Sequence, residues 1–383
     1  MTTQTTKQSG KRTRMNAQSE DSRPILPKSA RHEGRPTSGG NHTTETENPD
    51  ELKLWQAYIH VVKGNIGPGC LSMPYAFSQG GLFIALGVLS AFAPACIYCM
   101  LLLVWSKHKM LADGGGQGLS ARHINFEEVG AYALGPMGGQ MIELFVSFTQ
   151  LGVCSIYFDF CSTNLNAVFP AIAPKVFIIL MIPVVMATVM VRDARGLVVF
   201  STIAAVLIFS ALLTIYGEVI PHLGGDLHNA PLRMGGPMSH IPVVFGSLAF
   251  AFEGIGLILP IESSLADSHR AGFPMVLALG MSTVAVVFLI TGVLCFVALG
   301  DVDSASITAV LSGKGLGEKV IDTLNMLVSM AVLLTYPLQF LPPVQILEKR
   351  TGLERKDPES PSWKVHASEL NIAAAPEGAG GTQ

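Results

Sequence analysis

From Gly81 to Trp105 the chain runs without a single Asp, Glu, Lys or Arg. A run of that length has few ways to fold. About 20 apolar residues, rising roughly 1.5 Å each, cross a hydrocarbon layer of about 30 Å. Inside lipid the backbone must satisfy its own N–H and C=O groups, and an unalternating apolar run does so as a helix. Seven further apolar segments, each with at most two charged residues, lie at 54–79, 139–169, 176–191, 197–220, 241–261, 274–299 and 320–347. The expectation is an all-α polytopic membrane protein with eight transmembrane helices. Composition agrees: 49% of residues are hydrophobic and only 14% charged, against about 25% charged in a soluble protein. The net charge of −3 carries no nucleic-acid footprint. All six cysteines lie in apolar segments, so neither a disulfide frame nor a metal set is expected.

Polar sequence flanks this region on both sides. Residues 1–51 and 350–383 read as disordered tails, leaving 52–349 as the transmembrane domain. With the N-terminus inside, the inner connections carry Lys107, Lys109, Arg122, Arg192, Arg195 and Arg270, and the outer ones only Lys175, Arg233, Lys314 and Lys319. The positive-inside rule therefore places both termini in the cytosol. The connection after the second segment contains Asn125-Phe-Glu-Glu-Val-Gly, which reads as a short amphipathic helix.

Two of the segments are interrupted. The first contains His60-Val-Val-Lys-Gly-Asn-Ile-Gly-Pro-Gly-Cys-Leu-Ser-Met-Pro74, and the sixth Phe250-Ala-Phe-Glu-Gly-Ile-Gly-Leu-Ile-Leu-Pro260. Gly and Pro spoil the backbone ladder, and intramembrane charge is costly, so such runs are expected to have a use. Paired Gly/Pro-interrupted segments at corresponding places in two halves point to the binding site of an inverted-repeat transporter. Freed N–H groups around Ile66 to Cys70 would hold a carboxylate, and freed carbonyls near Lys63, Gly64, Phe252 and Glu253 an ammonium group. A site with both suits a zwitterion. The alternative is a pair of kinks lined by small residues for packing.

His60 precedes the first interruption and suits proton coupling, or else an interfacial histidine bonded to a carbonyl. Glu253 is expected to face the bundle interior, paired or protonated, with Lys63 as a candidate partner. On the third segment, Glu143 and Gln150 share one face and Asp159 lies round from them. Glu143 and Asp159 read as helix-end anchors rather than ligands, and Tyr157 and Tyr336 as hydroxyl donors or interfacial anchors. No His-Glu-x-x-His or Gly-x-Ser-x-Gly motif occupies a span, so an enzyme is not expected.

Together with Thr335-Tyr-Pro-Leu-Gln-Phe340, these two motifs make the chain resemble the amino acid/auxin permease family, nearest to its proton-coupled and vacuolar branches. The resemblance covers about Leu52 to Leu347. It implies a broken-helix inverted-repeat (LeuT-like) transporter fold, a neutral amino-acid substrate and coupling to protons, with no other cofactor. It implies substrate contacts from Gly64, Asn65, Ile66, Gly67, Gly69, Phe252, Glu253 and Gly254, and proton coupling at His60. A vacuolar, lysosomal or other endomembrane location is favoured over the plasma membrane. Pro68 departs from the small residue usual at its position. The family's eleven helices against eight here lead to the expectation of a truncated fold. A non-transporting amino-acid sensor or assembly subunit is the alternative that follows.

Overall fold

The computed structural model describes residues 52–114, 124–190, 194–224, 232–312, 314 and 317–351. The tails read as disordered therefore lie outside the described residues, apart from the last turn of α12, and so does the charged turn around Arg192. Twelve α-helices make up the described chain. They are α1 (Leu54–Asn65), α2 (Pro68–Leu71), α3 (Met73–Ala112), α4 (Phe126–Leu134), α5 (Pro136–Val168) and α6 (Pro174–Val189), then α7 (Ala194–Val219), α8 (Ile241–Ala251), α9 (Ile255–Ser263), α10 (Phe273–Leu299), α11 (Ile307–Leu311) and α12 (Glu318–Thr351). Among the described residues there is no sheet, only one isolated parallel bridge between Leu52 and Leu265.

Among the described residues, six stretches are long and apolar enough to cross a membrane: Met73–Ala112, Pro136–Val168, Leu197–His222, Met238–Ser263, Ser268–Leu299 and Glu318–Thr351. The sequence counts eight, and the difference has two causes. The first segment is cut into α1, α2 and the opening turns of α3, none of spanning length alone. The fourth, α6, has only 16 residues, short of the roughly 20 that a perpendicular span needs.

The boundary expected between the first two segments falls on Gly81, where φ is +70° and ψ 167° inside the 40-residue α3. A side chain is strained there, and a Cβ would lie 2.8 Å from the Gly235 carbonyl carbon and the Gly236 nitrogen. Four of the backbone groups at this kink are met by the stretch leading into α8. Gly236 N–H donates to the Gly80 carbonyl at 2.7 Å, and Leu82 and Phe83 N–H donate to the carbonyls of Arg233 and Met234 at 3.1 and 2.9 Å. His240 Nδ1 donates to the Gln79 carbonyl at 3.1 Å. The kink thus has an identifiable cause, and the stretch before α8 supplies partners for its backbone.

The expected amphipathic helix is α4. It opens with a capping box in which Asn125 caps the Glu128 amide and the Glu128 carboxylate accepts from Asn125 N–H at 2.5 Å. The helices pack as α5 against α4 and α12, α3 against α8 and α10, α7 against α12, and α1 against α10. Phe77, Phe273, Phe288 and Phe296 are fully buried at the centre. Large apolar side chains also cover the outside, with Phe148 69% and Leu213 71% exposed. That surface suits hydrocarbon, where packing rather than the hydrophobic effect holds helices together.

Candidate functional site

The two interruptions lie against each other. In the first, α1 ends at Asn65, Ile66 and Gly67 are extended, and Pro68 takes the opening position of α2, where its missing N–H costs nothing. In the second, α8 ends at Ala251 and Gly254 opens α9. A Cβ on Gly69 would sit 2.6 Å from Ala251 Cα, and one on Gly64 3.1 Å from Leu257 Cδ1. A Cβ on Gly254 would collide with the Asn65 carboxamide. Glycine is required at 69 and 254 by this close approach, because a backbone and a buried amide stand where a side chain would go. Gly67 is different, with open space beside it.

Asn65 is 4% exposed, and its Nδ2 donates to the Val61 carbonyl at 2.8 Å. Its Oδ1 is buried without a protein partner. Of the N–H groups expected to be free, Ile66 donates to Val62 and Cys70 to Gly67, both at 3.0 Å. Pro68 has none, so Gly67 and Gly69 carry the donors that remain in that stretch. Ile66 is buried at 2% exposure. Phe252 is 4% exposed and packs edge-on against Phe92 and Phe288, with ring centroids 5.8 and 5.0 Å apart.

Glu253 faces the interior, but its partner is not Lys63. Its Oε1 accepts from Gln150 Nε2 of α5 at 2.7 Å and its Oε2 from Gln339 Nε2 of α12 at 3.3 Å. Gln339 Nε2 also lies 3.4 Å from the Tyr157 hydroxyl. Lys63 instead donates to Thr202 Oγ1 of α7 at 2.8 Å, because the twist of α1 at that residue points its side chain at α7. Gln150 is 7% exposed, with Oε1 buried and unpartnered. Tyr157 is buried at 5%, not an interfacial anchor, and packs edge-on against Tyr336 and Phe250 at 6.5 Å. His60 is half-buried and has no hydrogen-bond partner among the described residues.

Glu143 turns to α12 and accepts from Arg350 Nε and Nη2 at 3.1 and 2.8 Å, whereas Gln150, seven residues on, meets Glu253 between α8 and α9. Asp159 is exposed. Gln339 sits inside a motif visible in the sequence, yet nothing local marks it as a partner of Glu253. A second polar cluster was equally hidden. Lys107, counted with the inner-loop charges, is 0% exposed, as is Glu262, and Nζ donates to Glu262 Oε2 at 2.5 Å and to Ser263 Oγ at 2.7 Å. His108 Nε2 lies 3.0 Å from the other carboxylate oxygen. This cluster ties the C-terminal end of α3 to the C-terminal end of α9.

Residues 50–373 match the family model for transmembrane amino acid transporter proteins. Vacuolar amino acid transporter 4 of Saccharomyces cerevisiae is 28% identical over 308 residues, covering 77% of this chain and 40% of that protein. Amino acid transporter AVT3C of Arabidopsis thaliana is 26% identical over 325 residues, covering 79% of this chain and 71% of that protein. Vacuolar amino acid transporter 3 of the same yeast is 28% identical over 313 residues, and the chain spans 43% of it. The chain thus spans less than half the length of the two yeast proteins it matches. Its function is non-enzymatic, and the chain belongs to the transmembrane amino acid transporter family.

Proposed function

We propose that this chain is a secondary transporter that binds a neutral amino acid where its two interrupted helices meet, with α1–α2 and α8–α9 moving against a scaffold that includes α5 and α12. The observation that carries the reading is the contact itself: Gly69 lies on Ala251 and Gly254 on Asn65, so each interruption is shaped to receive the other. The Gly67 and Gly69 N–H groups offer donors to a carboxylate, and the buried, unpartnered Asn65 Oδ1 offers an acceptor to an ammonium group. Donors and an acceptor within one contact suit a zwitterion. The substrate residues are those named from the sequence, Gly64 to Gly67, Gly69 and Phe252 to Gly254. Phe252 acts by supporting the second interruption from behind.

Protons are the coupling ion in this reading, and two titratable groups flank the interruptions, His60 before the first and Glu253 inside the second. The printed names of the yeast relatives support a vacuolar membrane, and the positive-inside count supports cytosolic termini. The test is uptake of a labelled mixture of neutral amino acids by the full chain in sealed proteoliposomes under an imposed pH gradient. Accumulation that collapses with a protonophore is the expected outcome. Binding of the mixture without accumulation would overturn transport and favour a sensor.

A further inference from the structure

We infer that Glu253 is the group that takes up and releases the coupled proton, and that Gln150 and Gln339 form its reversible binding site. The inference rests on the transport reading above for its consequence, but the proton site itself stands on separate observations.

The second interrupted segment carries two acids, and their surroundings differ in kind. Glu262 has the Lys107 ammonium at 2.5 Å, with Ser263 and His108 completing the cluster. Its charge is balanced in place. Glu253 lies near the middle of Met238–Ser263, and both of its carboxylate oxygens meet neutral carboxamides. The titratable groups that face it are Cys154 and Tyr157 on α5, with Tyr336 of α12 beside them. None of these is a cation. On α1, Lys63 is bonded to Thr202. An intramembrane carboxylate without a counter-cation is stabilised when its charge is removed or matched, and the smallest agent that does so is a proton.

The two glutamines are suited to both states of the acid. With Glu253 ionised, each Nε2 donates to one oxygen, as observed. With Glu253 protonated, a new O–H bond forms on one oxygen and needs an acceptor. Gln150 Oε1 is buried and unpartnered on the same carboxamide that already touches Glu253. A half-turn of that amide exchanges donor for acceptor without moving a helix. The proton comes from water on the side to which the site is open, and returns to water on the other. Since Gln150 belongs to α5 and Gln339 to α12, each exchange alters the polar link between the second interruption and both of those helices.

His60 is less suited. A proton there would set a second positive charge three residues before Lys63, on the same face of α1.

The test is infrared difference spectroscopy of the full chain in lipid, titrated from acid to about pH 8, beside transport of the labelled mixture. A protonated carboxylic-acid carbonyl band that survives to near pH 7 should be present in the wild type and in Glu262→Gln. It should be lost in Glu253→Gln and restored in Glu253→Asp, which guards against a folding defect. Persistence of the band in Glu253→Gln, or its absence from the wild type, overturns the site. In transport, Glu253→Gln should lose pH-driven accumulation while His60→Ala keeps the wild-type pH profile, and the reverse pattern also overturns the assignment. A band that behaves as expected in a wild type that accumulates nothing upholds the proton site and overturns the transport reading instead.

Discussion

Consider replacing Lys107 by Met. The ammonium and the Glu262 carboxylate are 2.5 Å apart and both fully buried. At an effective dielectric of about 20, two unit charges at that distance attract by roughly 7 kcal/mol. Desolvation of two buried ions offsets several kcal/mol each, so the intact pair contributes little net stability. Removing one partner is a different matter, because the carboxylate keeps its desolvation cost and loses its counter-charge. The single substitution is expected to cost about 3–5 kcal/mol. His108, half-exposed at 33% on the other oxygen, softens the loss only where it is protonated. The double variant Lys107→Met, Glu262→Leu removes both charges and should return to within about 2 kcal/mol of wild type. Unfolding in mixed detergent micelles, read by helix content or by trapping of the unfolded form, provides the four corners of the cycle. A single-variant cost below about 1 kcal/mol, or singles that simply add in the double, would refute the reasoning.

Glycines at the interruptions should divide by what faces them. Gly69→Ala drives a Cβ to 2.6 Å from Ala251 Cα and should cost about 1–3 kcal/mol and most uptake, whereas Gly67→Ala, with open space around it, should keep wild-type stability. Equal effects of the two in paired uptake and unfolding assays would show that the close approach does not matter. Glu127 on α4 gives a pH prediction. Burial first, then the neighbouring Glu128 and Glu143, hold its carboxyl above the usual range against the pull of its own backbone N–H and Lys349. The folded chain therefore binds this proton more tightly than the unfolded one. Its contribution is fully present below about pH 4.3 and is lost as pH rises through the raised value. Glu127→Gln should remove that part of the decline, and an unaltered stability profile between about pH 4 and 7 would count against it.

Apolar runs and their interruptions are legible because both are local properties. Gly81–Trp105 states its length and character outright, and the Gly and Pro residues at 64–69 and 254–260 announce their effect on the backbone wherever the helices lie. The pairings were not legible, because they depend on the rotation of each helix about its own axis. Lys63 and Glu253 each sit at an interruption, yet Lys63 meets Thr202 and Glu253 meets Gln150 and Gln339. Lys107 looked like a loop charge because it precedes Lys109 at the end of an apolar run. Only the packing of α3 against α9 reveals that it is inside. Periodicity placed Glu143 and Gln150 on one face, but not what that face meets: Glu143 bonds to Arg350 of α12, and Gln150 to Glu253 between α8 and α9.

The backbone bonds at the Gly81 kink have a mechanical meaning. They fasten the end of the first interrupted segment to the stretch of chain that enters α8. At the opposite end, Leu52 N–H donates to the Ser264 carbonyl at 2.9 Å and Ala266 N–H to the Leu52 carbonyl at 3.5 Å, fastening the entry of α1 to the exit of α9. Four half-helices are thereby joined as two couples, one at each end. The extended residues Ile66–Gly67 and the non-helical residues Phe252–Gly254 lie between the two couples. A bend at one interruption alone would pull against the bonds that fasten each of its halves to a half of the other, so the two interruptions are mechanically linked.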